Sequence, residues 1–372
     1  MKIAFFTESY KPYLSGVTVS IDTLAKALEN LGHEIKIFCP MYPGHRERGP
    51  KVFRFRSFPS PYPEFRLAIP FSRKILPPFH KHQFDIIHSH TPYQLGLLSL
   101  RLAKRDKIPY VYTFHTLFTE YLHHITLLSP KITKPLMMGY LRRFLNRCDR
   151  IIAPTAQVKE LLLKEKVLKP LEIIHTGVDL ELIASASAEG IKTKHQIPQA
   201  GRLLLYVGRL SREKNIPFLL DAFKKVAGKK SDVYLMIVAE GPKRKEHEKM
   251  AGERVIFAGK IPPPEIFNYF KAADLFVFSS KTETQGLVLA EANAAGLPIV
   301  ALASPVIEEM VENGRDGFIT EENRELFSQK ILQLLEDENL RRSMSEKALI
   351  SARRFSAEEM ARKMEAVYKT LL

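Results

Sequence analysis

Cysteine is almost missing from this chain of 372 residues. The two present, Cys39 and Cys148, offer neither a disulfide framework nor a zinc-ligand spacing, which fits a reducing cytosol. Long hydrophobic runs are missing too: no stretch reaches the roughly 18 apolar residues of a membrane-spanning helix. The opening MKIAFFTESY has too short an apolar part for a signal peptide and reads as a first strand. The strand, loop and helix found there carry no G-x-G-x-x-G, which removes the dinucleotide-binding fingerprint. Aromatic RNP strands and zinc fingers are absent, so no nucleic-acid partner is expected. No Asp-x-Asp pair suits a divalent cation, and no metal or other cofactor is expected. His88 and His90 alternate at a strand end without a third ligand.

Acidic residues are scarce in one half only. Residues 1–177 hold 27 lysines and arginines against 13 acids, a net +14; from 178 onward the numbers are 29 and 28, a net +1. Such an excess suits an anionic membrane or an anionic substrate, the bland alternative being a solubility bias.

What is present points to an α/β protein. The length predicts two domains, and 45% hydrophobic content fills two cores. Short apolar runs alternate with amphipathic helical stretches, the rhythm of parallel α/β units. The rhythm breaks between Pro40 and Phe84. That proline-rich stretch predicts one short strand, Val52 to Phe55, and a helix around Phe71. It mixes Arg54, Arg56, Arg66, Arg73 and Lys74 with aromatic and aliphatic residues, as does a helix predicted from about Pro135 with Arg142, Arg143 and Arg147 beside an apolar face. Basic residues among apolar ones suit a membrane surface, although that apolar face is equally a core face.

Three further places draw attention. Gly16 lies just before the first helix and allows close backbone approach. His115 stands at the carboxyl end of its strand, where open α/β sheets hold ligands. Arg209 and Lys214 meet at a strand end and the following helix start, a pairing suited to a diphosphate. The stretch Lys281 to Leu302 then runs strand, polar turn, helix and strand. Glu283 sits in its turn and Glu291 more than a turn into its helix, while the N–H groups near Gly286 suit an anion.

The Glu283-to-Glu291 segment, with Gly286, Leu287 and Val288 between and Ala292, Gly296 and Pro298 after, resembles the E-x7-E segment of glycosyltransferase family 4. Thr113 to Ile125, with His115, Tyr121 and His123, and the form TETQGLV are similar to bacterial diacylglycerol glucosyltransferases within it. The resemblance implies a GT-B fold: two Rossmann-like parallel-sheet domains facing across a cleft, with a last helix from about Ala357 crossing back to the first. It places an acceptor-binding domain over 1–177, with 357–372 added, and a nucleotide-sugar-binding domain over 178–356.

It further implies a retaining transferase that moves glucose from UDP-glucose to diacylglycerol, held peripherally at the cytoplasmic face of the membrane. By resemblance Arg209, Lys214 and the Gly286–Leu287 backbone meet the diphosphate. Glu283 holds the sugar, Glu291 the ribose, and Lys260 and Ile261 lie near the base. Gly16 and His115 lie by the donor phosphate and sugar. Arg66, Arg73, Lys74, Tyr121, Arg142, Arg143 and Arg147 are candidates for membrane or acceptor. Transfer to phosphatidylinositol or a polysaccharide precursor, and a non-catalytic basic scaffold, stay as alternatives.

Overall fold

The computed structural model describes residues 1–13, 15–45, 51–60, 66–115 and 130–372. The chain separates into two units, Met1–Gly177 with Ala357–Leu372, and Val178–Ser356.

In the first unit, β1 (Lys2–Phe6), β2 (Glu34–Pro40), β3 (Val52–Phe55), β6 (Ile86–Ser89), β7 (Tyr110–Thr113), β8 (Arg150–Ala153) and β9 (Leu171–Ile173) form a parallel sheet in the order β3-β2-β1-β6-β7-β8-β9. A separate antiparallel pair joins β4 (Ser57–Pro59) to β5 (Arg66–Ala68). The order reverses direction between β1 and β6. Successive side chains of β1 enter different cores: Ala4 and Phe6 on one face, Ile3 and Phe5 on the other. A strand covered on both faces must be apolar throughout, which is why these strands read as unbroken hydrophobic runs. The helix Ala357–Lys369 completes this unit. Its Met360, Ala361, Met364 and Tyr368 are buried in the core that holds Ile3 and Phe5.

The second unit repeats the plan. β10 (Arg202–Arg209), β11 (Val233–Glu240), β12 (Val255–Phe257), β13 (Leu275–Phe278), β14 (Ile299–Leu302) and β15 (Gly317–Thr320) run parallel in the order β12-β11-β10-β13-β14-β15. This is the doubly wound order, reversing between β10 and β13. Two Rossmann-like sheets are therefore present, as the sequence implies.

Local differences have local reasons. The helix expected around Phe71 is Leu76–His82, and Phe71 itself is 77% exposed. Leu76–His82 carries Pro77 and Pro78 in its first turn, where a proline ring lacks no needed N–H. The helix expected from Pro135 starts at Pro130, so Pro135 lies inside it. Its apolar face is core: Leu141, Phe144 and Leu145 are buried, while Arg142, Arg143 and Arg147 are exposed.

Candidate active site

In a doubly wound sheet, ligands gather at the carboxyl ends of the strands where the order reverses. Each unit places its functional candidates there.

In the second unit, Arg209 closes β10 and Lys214 ends the 3-10 turn Arg212–Lys214 that follows it. From the neighbouring β13 the chain enters the turn that holds Glu283. The two lines of chain meet: Lys214 Nζ lies 3.0 Å from Glu283 Oε2, each side chain 17% exposed. The ring of Phe278 lies under the ammonium, 5.7 Å from centroid to Nζ. Ser279 Oγ donates to the Lys214 carbonyl at 2.9 Å, and Lys281 N to the Glu213 carbonyl at 3.0 Å, so the two loops are stitched by backbone as well as by charge. Burial alone would push the Glu283 carboxyl up. Lys214 and the N–H groups of Thr284 and Gln285 outweigh it and hold Glu283 below the usual carboxylate range. Arg209 and Lys214 also both draw down the carboxyl of Glu213 against its burial, so both cations serve one small region.

The helix Leu287–Ala294 follows at once. Its cap, Gly286, has φ +68, and an added Cβ would stand 2.7 Å from Met310 Cγ. Only glycine satisfies that backbone and that space. The first-turn amides of Leu287 and Val288 belong to the group that no helix can bond internally. The small residues have a packing cause as well. Gly296, φ +77, lies against the helix Glu338–Ala352, where Ser345 Oγ donates to its carbonyl at 2.6 Å. The carboxyl of Glu291, in contrast, has no hydrogen-bond or ion-pair partner among the described residues, and burial pushes it up to about 8. Along the same edge, Gly259 (φ +80) turns the chain after β12 and leaves Lys260 exposed and Ile261 half-buried against the core.

In the first unit, Ser15 caps the helix Gly16–Asn30, its side chain accepting from Thr18 N. Gly16 is exposed, and among the described residues a Cβ there would meet no atom beyond its own turn within 4 Å. His115 follows β7 and is buried, and burial pushes its imidazole down to about 3. Sequence reasoning missed Glu8, which reads as an ordinary loop acid after β1. It is wholly buried. Its carboxylate accepts from the Thr91 hydroxyl and from Leu95 N at 2.5 Å, and burial raises it to about 7. Glu8 thus ties the end of β1 to the loop after β6. The only signal was its position two residues past the strand end, at the reversal of order.

The same loop depends on Gly96, whose missing Cβ would stand 2.1 Å from the Thr91 carbonyl oxygen. Gly96→Ala is expected to lower stability by about 1–3 kcal/mol, as overpacking against backbone does. Thermal unfolding checks this, an unchanged midpoint being the contrary result.

The surface candidates separate. Arg73 and Lys74 are exposed, but Arg66 donates to Ser57 Oγ at 2.8 Å and to Ser57 O at 2.9 Å, pinning β5 to β4. Tyr121, His123 and most of the Thr113-to-Ile125 run lie outside the described residues.

Residues 14–182 match Glycosyltransferase Family 4 and residues 187–350 match Glycosyl transferases group 1. Alpha-monoglucosyldiacylglycerol synthase of Streptococcus pneumoniae is 34% identical over 85% of this chain and 74% of its own. The chain belongs to glycosyltransferase family 4. The synthase of the same name from Acholeplasma laidlawii is 29% identical over 100% of this chain and 98% of its own. Among solved structures, Anabaena HepE in complex with UDP and glucose superposes with a TM-score of 0.77 at 19% identity, each chain covered fully. Sucrose-phosphate synthase of Thermosynechococcus elongatus gives 0.77 at 21%, covering 100% of this chain and 98% of its own. These likenesses establish the GT-B fold. This family 4 member is a hexosyltransferase using a nucleotide-sugar donor.

Proposed function

We propose that this transferase moves glucose from UDP-glucose to diacylglycerol at a membrane surface, with retention at the anomeric carbon. The observation that carries the reading is the meeting of Arg209, Lys214 and Glu283 at the reversal point of the second sheet, beside a helix start. The names of the synthases at 29% and 34% identity supply the acceptor and the sugar. In the reaction the bond between the anomeric carbon and the diphosphate breaks. A bond to the acceptor hydroxyl oxygen forms, and the hydroxyl proton leaves with the diphosphate. Negative charge grows on the leaving diphosphate, so fixed cations and N–H dipoles there favour the transition state over the bound donor. Arg209, Lys214 and the amides of Leu287 and Val288 fill that role. Glu283 holds sugar hydroxyls and Glu291 the ribose. The decisive assay is labelled UDP-glucose with diacylglycerol in mixed micelles, followed by chromatography of the lipid. Label in the diacylglycerol product supports the reading. Label only with phosphatidylinositol or a soluble acceptor overturns the acceptor assignment.

The two cations supply the positive charge that a leaving diphosphate requires, and we propose that no metal is needed. Activity is expected to survive excess EDTA. Complete loss, restored by Mg²⁺ or Mn²⁺, would be the contrary result.

No helix among the described residues is long and apolar enough to cross a membrane. Peripheral attachment is supported by the exposure of apolar Phe71 and Leu136, 77% and 68%, and of the cations Arg73, Lys74, Arg142, Arg143 and Arg147. Each such cation at an anionic surface is worth about 1 kcal/mol. The protein is expected to pellet with vesicles rich in phosphatidylglycerol and not with pure phosphatidylcholine, less so as salt rises. Changing Arg142, Arg143 and Arg147 to Glu is expected to reduce pelleting and transfer to lipid. Equal pelleting on both vesicles would remove the electrostatic account.

A further inference from the structure

The carboxyl edge of the first sheet holds three imidazoles in succession. His90 lies just beyond β6, its N–H bonded to the Phe6 carbonyl at 2.9 Å. Its ring stacks on His88, centroids 4.2 Å apart at 28°, and meets the ring of Phe5 at 4.8 Å and 69°. His88 is itself fixed, with Nδ1 2.6 Å from the Tyr368 hydroxyl and Nε2 2.7 Å from the Thr113 hydroxyl. The orientation of His90 is therefore set by two strands and the helix Ala357–Lys369. Its Nδ1 lies 2.9 Å from Nε2 of His115.

Burial holds all three imidazoles below the ordinary histidine range, so at neutral pH each is uncharged. A neutral imidazole has one N–H and one lone pair. The hydrogen bond between His90 and His115 therefore has a direction. Nε2 of His90 is buried with no partner among the described residues. A buried N–H without an acceptor is rarer and costlier than an acceptor without a donor. The His90 proton accordingly sits on Nδ1 and is donated to His115 Nε2, leaving the His115 proton on Nδ1.

We propose that His90 is a positioning residue that holds His115 as its Nδ1–H tautomer. An isolated neutral histidine side chain favours the opposite form, with the proton on Nε2, and the hydrogen bond from His90 opposes that preference. The consequence, which rests on the transferase reading, is that His115 is uncharged, has its Nε2 lone pair engaged by His90 and its Nδ1 protonated, and does not serve as a proton acceptor in the transfer.

The test uses the full chain with ¹⁵N-labelled histidine. Two-bond ¹H–¹⁵N correlation spectra separate the two tautomers, and the His115 signals are assigned by their loss in His115→Gln. Wild type and His90→Asn, whose amide nitrogen takes the place of Nδ1, are expected to show His115 protonated on Nδ1. His90→Phe keeps the ring packing but has no donor, and is expected to show His115 protonated on Nε2. Its kcat is expected to fall by at least about tenfold, with the KM for donor within about twofold, since orientation in the reacting complex is lost and not ground-state binding. His90→Asn is expected to recover most of that loss. A wild-type His115 protonated on Nε2 overturns the assignment, even if no variant folds; so does an unchanged tautomer in His90→Phe. If the tautomer follows His90 but wild type consumes no nucleotide sugar, the assignment stands and the transferase reading falls.

Discussion

Lys214→Ala is expected to lower turnover by about 10²-fold or more, of order 3 kcal/mol in the barrier, the effect of removing one preorganised transition-state donor. The geometry makes two losses of one substitution. The cation for the departing diphosphate goes, and Glu283 loses the partner 3.0 Å away that offsets its burial. The Glu283 carboxyl then rises toward neutrality, and the contact it offers a sugar hydroxyl weakens. Arg209→Ala removes a cation without touching that pair, and its effect is expected to lie in turnover alone. The two losses at Lys214 separate in the double variant with Glu283→Gln. Stability is expected to recover there, because no half-buried carboxylate is left without its cation, while turnover stays low. The sign with pH follows: Glu283 is depressed, so the pair stabilises above the ordinary carboxylate pKa and fades as pH falls through the folded value. Steady-state kinetics with thermal unfolding measure both parts. Near-normal turnover in Lys214→Ala would remove lysine from the chemistry.

The affinity for UDP-glucose is expected to tighten as pH rises from 6 to 8, by about tenfold per unit, and then to level. The cause is Glu291, which burial holds protonated up to about pH 8 with no described group to bond it. Ribose hydroxyls donating to this carboxyl favour its ionised form, so binding releases a proton, and release is easier at higher pH. Titration calorimetry in buffers of different ionisation enthalpy counts that proton directly. Glu291→Gln is expected to flatten the profile and to weaken donor binding more than turnover, because ribose contacts are alike in ground and transition states. A flat profile in wild type would show that ribose does not meet this carboxyl.

The fold class was legible because both sheets are covered on two faces. Strands such as β1 and β10 had to be continuous apolar runs, and the helices between them had to be amphipathic. The hairpin of β4 and β5 was not legible, since its prolines, Pro59 among them, read as irregular chain. The start of the helix at Pro130 was missed because Pro135 looks like a first-turn residue until the chain before it is seen to be helical. At the candidate site, spacing identified the residue types but not their partners. Lys214 and Glu283 stand 69 residues apart, and only the adjacency of β10 and β13 brings them together. Glu8 escaped notice, and His90 was weighed only as a metal ligand, for the same reason. Each is an ordinary polar residue near a strand end, and what distinguishes it is burial, which local sequence does not encode.

The hydroxyl of Tyr368 against His88 has a consequence for synthesis. The helix that carries it is made only after the whole of the second unit has been translated, yet it closes the core around Ile3 and Phe5. The second unit is continuous in sequence and can fold as it leaves the ribosome. The first must wait with its opening strands made and one face uncovered, although N-terminal domains ordinarily fold first during synthesis. Until that helix emerges, the apolar side chains of that face are exposed to chaperones and to other nascent chains, and translation speed through residues 178–356 contributes to how long that exposure lasts.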